Sequence, residues 1–364
     1  MSSSRERPSL DTVIEKIEEA LTVLISVRST STAADSSMIE LLMHKLKSGI
    51  PYYQRTAARE ISLLSCYNID NRIIFAKAGA IPLLTDLLTV ADSRTQEQAL
   101  AALYWLSIPD ENIGIIVSFG ALPGIVQVLK EGSMKAREKA ANTLLNLSVL
   151  DENRADIGAV GAIPPLLLLL NEGTSSEKES ILNVLCSLCV YEGNRTRAVR
   201  AGAVHMLIEL LKERQGCIDI GIAVIKFLCL ISLCREGLVA IRKAEVVRIL
   251  VEAIGIGYTP AEPQSDIQEL AIDFLETLSL YPDGKVAIGE AEVVPFLVEA
   301  IGSGSSKSKE NAAKVLVELG SLDQKYLVEA QEHGVTGKLM DMLQHGTESE
   351  KSAAHDLLEM MSMV

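Results

Sequence analysis

The chain has 364 residues, 48% of them hydrophobic but only 4% aromatic, and a formal net charge of −14. This length and apolar content are enough for a large core, which must be built from Leu, Ile, Val and Ala rather than from aromatic side chains. Nucleic-acid binders neutralise phosphates with clustered Lys and Arg, so the acidic balance argues against nucleic acid and favours protein partners of basic or mixed charge.

The first 37 residues differ in pattern from the rest of the chain. Residues 1–10 are predicted to be disordered, and residues 11–37 are predicted to form an amphipathic helix followed by a polar linker. Thr12 and Glu15 have capping-box spacing, and the helix is expected to end near Val27. This helix would cap the exposed end of the first repeat or dock a partner helix. We favour the capping role. Its apolar stripe is Val13, Ile14, Ile17, Ala20, Leu21, Leu24 and Ile25.

From residue 38 to residue 364 the chain repeats itself. A glycine recurs every 41 residues, and an asparagine precedes each glycine by eight residues. A period of about 40 residues without a strand pattern is typical of an α-solenoid. We therefore predict an all-α, right-handed α-α superhelix of about seven or eight repeats. The glycines are Gly79, Gly120, Gly161 and Gly202, and the asparagines are Asn71, Asn112, Asn153 and Asn194.

The repeat continues in weaker form to the C-terminus. Glu245 and Glu292 stand where the earlier copies have the glycine, and Gly334 restores it in the last copy. The longest step between copies contains a stretch rich in Gly and Pro at 255–263, which predicts a lengthened loop between two helices.

Each repeat is predicted to contain three helices. In one copy a short helix ends near Gly161, and a second begins at Pro165 and runs to about Leu170. A long third helix follows, with capping-box spacing at Thr174 and Glu177. Ser93 to Gln96 and Thr347 to Glu350 have the same spacing. A small residue recurs late in the third helices and predicts close packing there, at Cys66, Ser107, Ser148, Cys189, Ser232, Ser279 and Ser321.

No motif in the sequence indicates catalysis. Cys186 and Cys189 have the C-x-x-C spacing of metal and redox sites, but Cys189 falls at the small packed position of the repeat, which favours packing. The five histidines lie in separate repeats. We therefore expect no enzyme activity, no cofactor and no bound metal.

Two stretches, TLLNLSVLDENRADIGAVGAIPPLLLLLNEGT and ALPGIVQVLKEGSMKAREKAANTL, resemble the armadillo repeats of plant U-box/armadillo E3 ubiquitin ligases. The resemblance covers about Met38 to Met363 and implies an armadillo-repeat solenoid. In those ligases the armadillo array binds a substrate or a regulatory partner, and a separate U-box recruits the ubiquitin-conjugating enzyme. The 37 residues before the first repeat are too few for a U-box, so the resemblance does not imply ligase activity for this chain.

The resemblance also implies a binding groove, because third helices line the concave side of armadillo proteins. Counting along the repeat gives two rows one helical turn apart, which include Leu64, Val315 and Leu319. Trp105 offers an aromatic anchor, although half-buried packing is the alternative, and the asparagines offer amides to a peptide backbone. The predicted groove residues are Glu60, Trp105, Asn142, Asn146, Asn183, Ser187, Lys226, Asp273 and Thr277.

The leading hypothesis is a non-catalytic scaffold that binds extended or helical segments of other proteins, in plant ubiquitin-linked or signalling pathways. The first alternative is the substrate-recognition part of a U-box E3 ligase. A transport adaptor of the importin-α type is disfavoured. Importin-α proteins resemble one another in repeating a Trp and an Asn one helical turn apart on successive third helices, whereas this chain has one Trp, Trp105, with Ala101 before it.

The sequence also predicts where the protein works. The longest apolar stretch, Ile157 to Leu170, is interrupted by Pro164 and Pro165 and is too short to span a bilayer. The polar N-terminus has no secretory signal pattern. We therefore expect no transmembrane segment and a location in the cytoplasm, the nucleus or both.

Overall fold

The structure, a computed structural model, describes residues 33–212, 218–255 and 265–363. Within these ranges the chain forms 23 α-helices and no strand, which confirms the predicted all-α solenoid of three-helix repeats. The predicted N-terminal helix, the stretch 256–263 of the predicted loop and Cys217 lie outside the described residues. The chain divides between Pro165 and Leu166 into two compact units.

The first unit contains an incomplete repeat of two helices, two complete three-helix repeats and the first helix of another. Helix α1 begins at Ser36, inside the segment predicted to be a linker, because the Asp35 carboxylate accepts a hydrogen bond from the Met38 amide at 2.8 Å. The helices are α1 Ser36–Lys47, α2 Pro51–Tyr67, α3 Ile69–Lys77, α4 Ala80–Leu87, α5 Ser93–Leu106, α6 Asp110–Ser118, α7 Ala121–Glu131, α8 Met134–Leu147 and α9 Asp151–Ala159.

Helix α10, Ile163–Glu172, crosses the division, and the later helices belong to the second unit. They continue the order of first, second and third helix to the end of the described chain. They are α11 Ser175–Cys189, α12 Glu192–Arg200, α13 Ala203–Lys212, α14 Ile218–Ser232, α15 Arg235–Lys243, α16 Val246–Gly255, α17 Ser265–Ser279, α18 Pro282–Gly289, α19 Val294–Ser303, α20 Ser306–Leu322, α21 Lys325–Glu332, α22 Val335–His345 and α23 Glu348–Met361.

Third helices stack on one another within each unit. In the first unit α2 packs on α5 and α5 on α8, and in the second unit α11, α14, α17, α20 and α23 pack in succession. The core is mainly aliphatic, as predicted, with Phe75, Phe227 and Phe274 as its largest fully buried side chains. Each fully buried Leu or Ile contributes roughly 1.5–3 kcal/mol, so stacking rather than any single bond stabilises the repeats.

The helix starts follow the predicted caps with two differences. Thr174 with Glu177 and Thr347 with Glu350 form complete capping boxes, as predicted. Helix α5 is capped by Asp92 instead, whose carboxylate accepts from the Thr95 amide at 3.2 Å, because Ser93 already lies inside the helix. Helix α10 begins before the predicted Pro165, because proline is tolerated in the first turn, where the amide has no helical partner.

The turn between first and second helix requires a left-handed backbone. Gly79, Gly120, Gly161, Gly202 and Gly334 have φ between 75° and 89° there. An added Cβ at any of these five glycines would meet no atom within 4 Å, so only the backbone conformation selects glycine. In the two remaining copies the position holds Glu245, with φ 51°, and Glu292, with φ 53°.

We predict opposite effects from exchanging residue types at this turn. Gly120→Ala should lower the free energy of unfolding by about 1 kcal/mol, because a side chain is strained in the left-handed region. Glu292→Gly should raise it by up to about 1 kcal/mol, because it removes the strain of a side chain in this region. The greater freedom of glycine in the unfolded chain offsets part of that gain. Urea denaturation of the two variants measures both changes, and shifts of the same sign would contradict this explanation.

The asparagines that recur every 41 residues lie buried in the first helices. Each side-chain amide donates to a carbonyl oxygen at the end of the preceding third helix, at 2.8–3.1 Å. Helix ends leave such carbonyls without intrahelical donors, so each asparagine satisfies a buried acceptor and ties consecutive repeats together. We call them the junction asparagines. They join Asn71 to Leu64, Asn112 to Leu106, Asn153 to Leu147 and Asn194 to Leu188.

Arginine reinforces three of these junctions. Arg72, Arg154 and Arg195 each follow a junction asparagine and donate from Nε to the next carbonyl oxygen of the third helix, at 2.7–2.9 Å. Hydrogen bonds from a charged donor are stronger than neutral ones. The fourth junction has no such arginine, because Ile113 follows Asn112. Asn112 instead donates a second hydrogen bond to the carbonyl oxygen of Arg72 at 3.1 Å, and so links two first helices.

We predict that Asn153→Ala destabilises the chain by about 1–3 kcal/mol, because the Leu147 carbonyl oxygen loses its buried donor. The control is Asn171→Ala, which removes an exposed amide and should change the free energy of unfolding by less than about 0.5 kcal/mol. Thermal and urea denaturation measure both variants. Equal stability of Asn153→Ala and the control would show that the junction bond contributes nothing.

The predicted register is wrong by one residue at two third helices, as a junction bond shows for α2 and burial shows for α20. Asn71 reaches seven residues back to Leu64, whereas the other junction asparagines reach six residues back. The buried small residue of α2 is therefore Ser65, and Cys66 is partly exposed. In α20 the buried small residue is Gly320, and Ser321 is exposed. The remaining predicted positions are buried as expected, at Ser107, Ser148, Cys189, Ser232 and Ser279.

Candidate functional site

The predicted partner-binding residues lie on the exposed side of the third helices. Every one of them is exposed or partly exposed, while most of the residues between them are buried. We call this surface the third-helix face and describe it for each unit separately. The first unit contributes Glu60, Trp105, Asn142 and Asn146, and the second contributes Asn183, Ser187, Lys226, Asp273 and Thr277.

The one-residue register shift changes which residues of α2 and α20 belong to the face. Leu64, Val315 and Leu319 were predicted in the rows, but all three are buried in the core. Glu60 is turned toward α1, where its carboxylate lies 3.5 Å from the Lys45 ammonium. Arg59 and Leu63 in α2, and Lys314 and Glu318 in α20, are the partly or fully exposed residues that take these places.

Trp105 lies at the centre of a cluster in the first unit. The Tyr104 ring meets it edge-on with centroids 4.9 Å apart, and the Arg72 guanidinium lies 5.2 Å from its ring centroid. The Lys139 ammonium lies 4.6 Å from the Tyr104 ring and 5.8 Å from the Trp105 ring. Such cation–π contacts each contribute about 0.5–1 kcal/mol at exposed sites. Trp105 is therefore a packing residue that also keeps part of its ring accessible.

Asn146 and Asn142 stand one helical turn apart on α8 and differ in their bonding. The Asn146 amide donates to the Ser107 hydroxyl oxygen at 2.9 Å, and that hydroxyl donates to the Tyr104 carbonyl oxygen at 2.7 Å. Asn146 therefore joins α8 to the end of α5. Asn142 makes no hydrogen bond to any residue that the structure describes, so its amide is the more available of the two for a ligand.

Sequence reasoning missed Tyr104 and Lys139, which complete this cluster. Lys139 lies seven residues before Asn146, which is two helical turns and therefore the same face of α8. Extending the predicted rows by one more turn toward the start of the helix would have found it. Tyr104 adjoins Trp105 in the sequence, but its position against the lysine follows only from the packing of α5 on α8.

In the second unit the predicted residues Asp273 and Thr277 are held by their neighbours. The Asp273 carboxylate accepts from Lys307 at 2.5 Å and from the Asn311 amide at 2.8 Å. The bond between Asp273 and Lys307 raises the pKa of Lys307. Thr277 donates to the carbonyl oxygen of Asp273 at 2.9 Å. These groups link α17 to α20. Asn183 and Lys226 are exposed on α11 and α14.

An exposed apolar residue follows the face at the C-terminal end of each third helix from α2 to α20. Val149, for example, lies three residues beyond Asn146 and is 57% exposed. Because these residues recur once in each repeat, we call them the apolar edge. The sequence signal was the repeat step itself, because these apolar residues recur at the same intervals as the turn glycines. The edge is Tyr67, Ile108 and Val149 in the first unit, and Val190, Leu233, Leu280 and Leu322 in the second.

Three of the described cysteines, Cys186, Cys189 and Cys229, are held as unreactive thiols. Burial raises the pKa of the Cys186 thiol to about 12, and it also raises the pKa of Cys189 and, to about 12, that of Cys229. Only a thiolate attacks electrophiles or binds metal, so these thiols stay protonated at neutral pH. Among the described residues no group of three or more His, Cys, Asp and Glu side chains could hold a metal ion.

We predict that iodoacetamide modifies Cys186 and Cys189 in the folded chain at pH 7 at least about a hundredfold more slowly than in the unfolded chain. The reason is the small thiolate fraction that their raised pKa values leave at that pH. Peptide mass mapping after timed alkylation measures the two rates, with Cys66 as the partly exposed comparison. Rapid alkylation of either buried-site cysteine would contradict the prediction.

A depression in the second unit is too small and too well paired to be a ligand site. It encloses about 210 Å³ between α15, α16 and the end of α18, below the roughly 300–1,000 Å³ of small-molecule pockets. Its charged side chains pair with acidic groups, Arg242 with Glu290 at 3.2 Å and Arg248 with Glu252 at 2.9 Å.

None of the helices within residues 33–212, 218–255 and 265–363 alone has the length and apolar content of a membrane span. Two pairs, α6 with α7 and α9 with α10, reach that length and composition only jointly, and they are bent by 89° and 83°.

Known proteins resemble the chain over its repeats. A family profile described as the plant U-box protein ARM repeat region matches residues 42–255, which is more than half of the chain. U-box domain-containing protein 13 of Arabidopsis thaliana is 51% identical over 86 residues, and E3 ubiquitin-protein ligase SPL11 of Oryza sativa subsp. japonica is 46% identical over 80 residues. These segments cover 24% and 22% of this chain, but only 13% and 12% of the two relatives.

Solved structures agree on the fold. The crystal structure of an engineered protein from the Northeast Structural Genomics Consortium superposes with a TM-score of 0.74, at 24% identity, and covers 89% of this chain and 78% of its own. A second engineered protein from the same consortium gives a TM-score of 0.56 at 24% identity, covering 67% of this chain and 96% of its own. At this identity the likeness shows the fold alone.

Proposed function

Because the chain belongs to the family of plant U-box protein ARM repeat regions, we propose that it binds segments of other proteins on its third-helix face and performs no chemistry of its own. Such repeats present a row of equivalent helices, and an extended or helical segment can contact several of them at once. The family membership supports a role in protein interaction, and the composition of the face supports its use as the binding surface.

The Trp105 cluster is the single observation that carries this proposal. Partly exposed Trp and Tyr side chains beside a cation are the residue types that dominate binding energy at protein interfaces. Tyr104, Trp105 and Lys139 meet within 6 Å of one another on two adjacent third helices, with the available Asn142 amide on the second. The apolar edge adds exposed surface that a partner could bury.

Rigid support makes the face suitable for binding. The junction asparagines fix the end of each third helix from α2 to α11, and Asn146 ties α8 to α5. A preorganised surface loses less conformational entropy on association than a mobile one. The face should therefore bind without a large rearrangement of its helices.

A second candidate function is substrate recognition for a U-box E3 ligase. The names of the two relatives favour it, since one of them is an E3 ubiquitin-protein ligase and the other is a U-box domain-containing protein. In this case the same face would hold the protein to be ubiquitinated. The two candidates differ in the fate of the bound partner and not in the surface that binds it.

We predict that peptides selected by the full chain from a random peptide library lose at least about tenfold in affinity when Trp105→Ala and Asn146→Ala are combined, because both centre on the face. Asn142→Tyr, which obstructs the face without removing packing, should weaken the same peptides. The matched control combines Phe119→Ala with Gln127→Ala, an exposed aromatic residue and an exposed amide away from the third helices.

Fluorescence anisotropy with labelled peptides measures the affinities, and circular dichroism checks that each variant keeps its helices. If the control pair reduces binding as much as the face variants do, binding occurs on another surface. If Asn142→Tyr and the double variant both leave every peptide bound, the third-helix face is not the binding site.

A further inference from the structure

The charges of the third helices differ sharply between the two units. The third helices of the first unit carry six basic and three acidic residues, whereas those of the second unit carry six basic and thirteen acidic residues. The whole chain has a net charge of −14, so the first unit's third helices run against the general balance. Their basic residues are Arg55, Arg59, Arg94, Lys135, Arg137 and Lys139, and their acidic residues are Glu60, Glu97 and Glu138.

Some of this charge is compensated locally, but the centre of the face stays basic. Glu60 lies 3.5 Å from Lys45 of α1, and Arg55 lies 3.6 Å from Asp92 at the start of α5. Lys139 contacts aromatic rings rather than a carboxylate, and Lys135 is exposed one turn before it on α8. A cation near an aromatic ring keeps its charge and can still meet an anion.

The polar and apolar parts of the face lie in a fixed order along each helix. On α8, Lys135 and Lys139 occupy the first half, Asn142 the middle and Val149 the position just past the end. On α5, Arg94 lies near the start and Trp105 near the end, followed by Ile108 of the apolar edge. A complementary ligand therefore carries acidic side chains on one side and apolar side chains on the other.

We propose that the third-helix face of the first unit binds an acidic extended segment of a partner protein. Its carboxylates contact Lys135 and Lys139, and an apolar side chain packs against Tyr104 and Trp105. This assignment rests on the proposed function and specifies the chemistry of the partner. The chain's net charge alone favours basic partners, whereas the charges on the third-helix face of the first unit favour an acidic partner.

The test uses the full chain and the random peptide library. Peptides whose binding depends on Trp105 and Asn146 should carry a net negative charge and at least one large apolar residue. Their affinity should fall at least about tenfold when Lys135→Glu is combined with Lys139→Glu, because like charges then face each other. The control combines Lys77→Glu with Lys130→Glu, which makes the same change in net charge at exposed sites on α3 and α7 and should weaken binding by less than about twofold.

The outcomes separate this inference from the proposed function. Face-dependent peptides that are neutral or basic would overturn the acidic assignment and leave a protein-binding face in place. Equal losses in the two lysine pairs would also overturn it, because net charge rather than the face would then govern affinity. Peptides that do not depend on the face at all would remove both proposals. Circular dichroism of all four lysine substitutions confirms that the helices persist.

Discussion

Stacking of successive third helices stabilises the repeats, and the bond from each junction asparagine to the preceding third helix fixes where the stacked helices end. A third helix ends with carbonyl groups that no residue of its own helix can satisfy, and the chain must turn there into the next repeat. The buried amides of Asn71, Asn112, Asn153 and Asn194 satisfy these groups at nearly equal distances. Because each amide reaches back across the turn, it sets the positions of α2, α5, α8 and α11 relative to the first helix that follows each of them.

The spacing of these junctions is also the spacing of the third-helix face. Since α2, α5, α8 and α11 each end at a carbonyl bound by a junction asparagine, the residues one and five positions before that carbonyl are exposed or partly exposed in each of these copies. This register places the amides of α8, the aromatic pair of α5 and the apolar edge in ordered rows. A surface of this kind gains affinity from preorganisation and from a few anchors rather than from its total area.

The amino-acid pattern was sufficient to predict the three-helix repeat, most helix starts and the outward position of most face residues. Its failures have physical causes. A fixed step of 41 residues could not reveal that α2 and α20 are shifted by one residue, because that shift is visible only in the bond from Asn71 to Leu64 and in the burial of Gly320. The cluster of Lys139 with Tyr104 depends on the packing of two helices that are distant in the chain.

Direct contact between a bound peptide and the third helices is the central claim. A photo-reactive residue incorporated at position 142 of α8 should cross-link to a peptide selected by the full chain, because Asn142 lies on the face. The same residue at position 127 of α7 should not cross-link, because Gln127 is exposed on a second helix. Cross-linking from position 127 and none from position 142 would contradict the account.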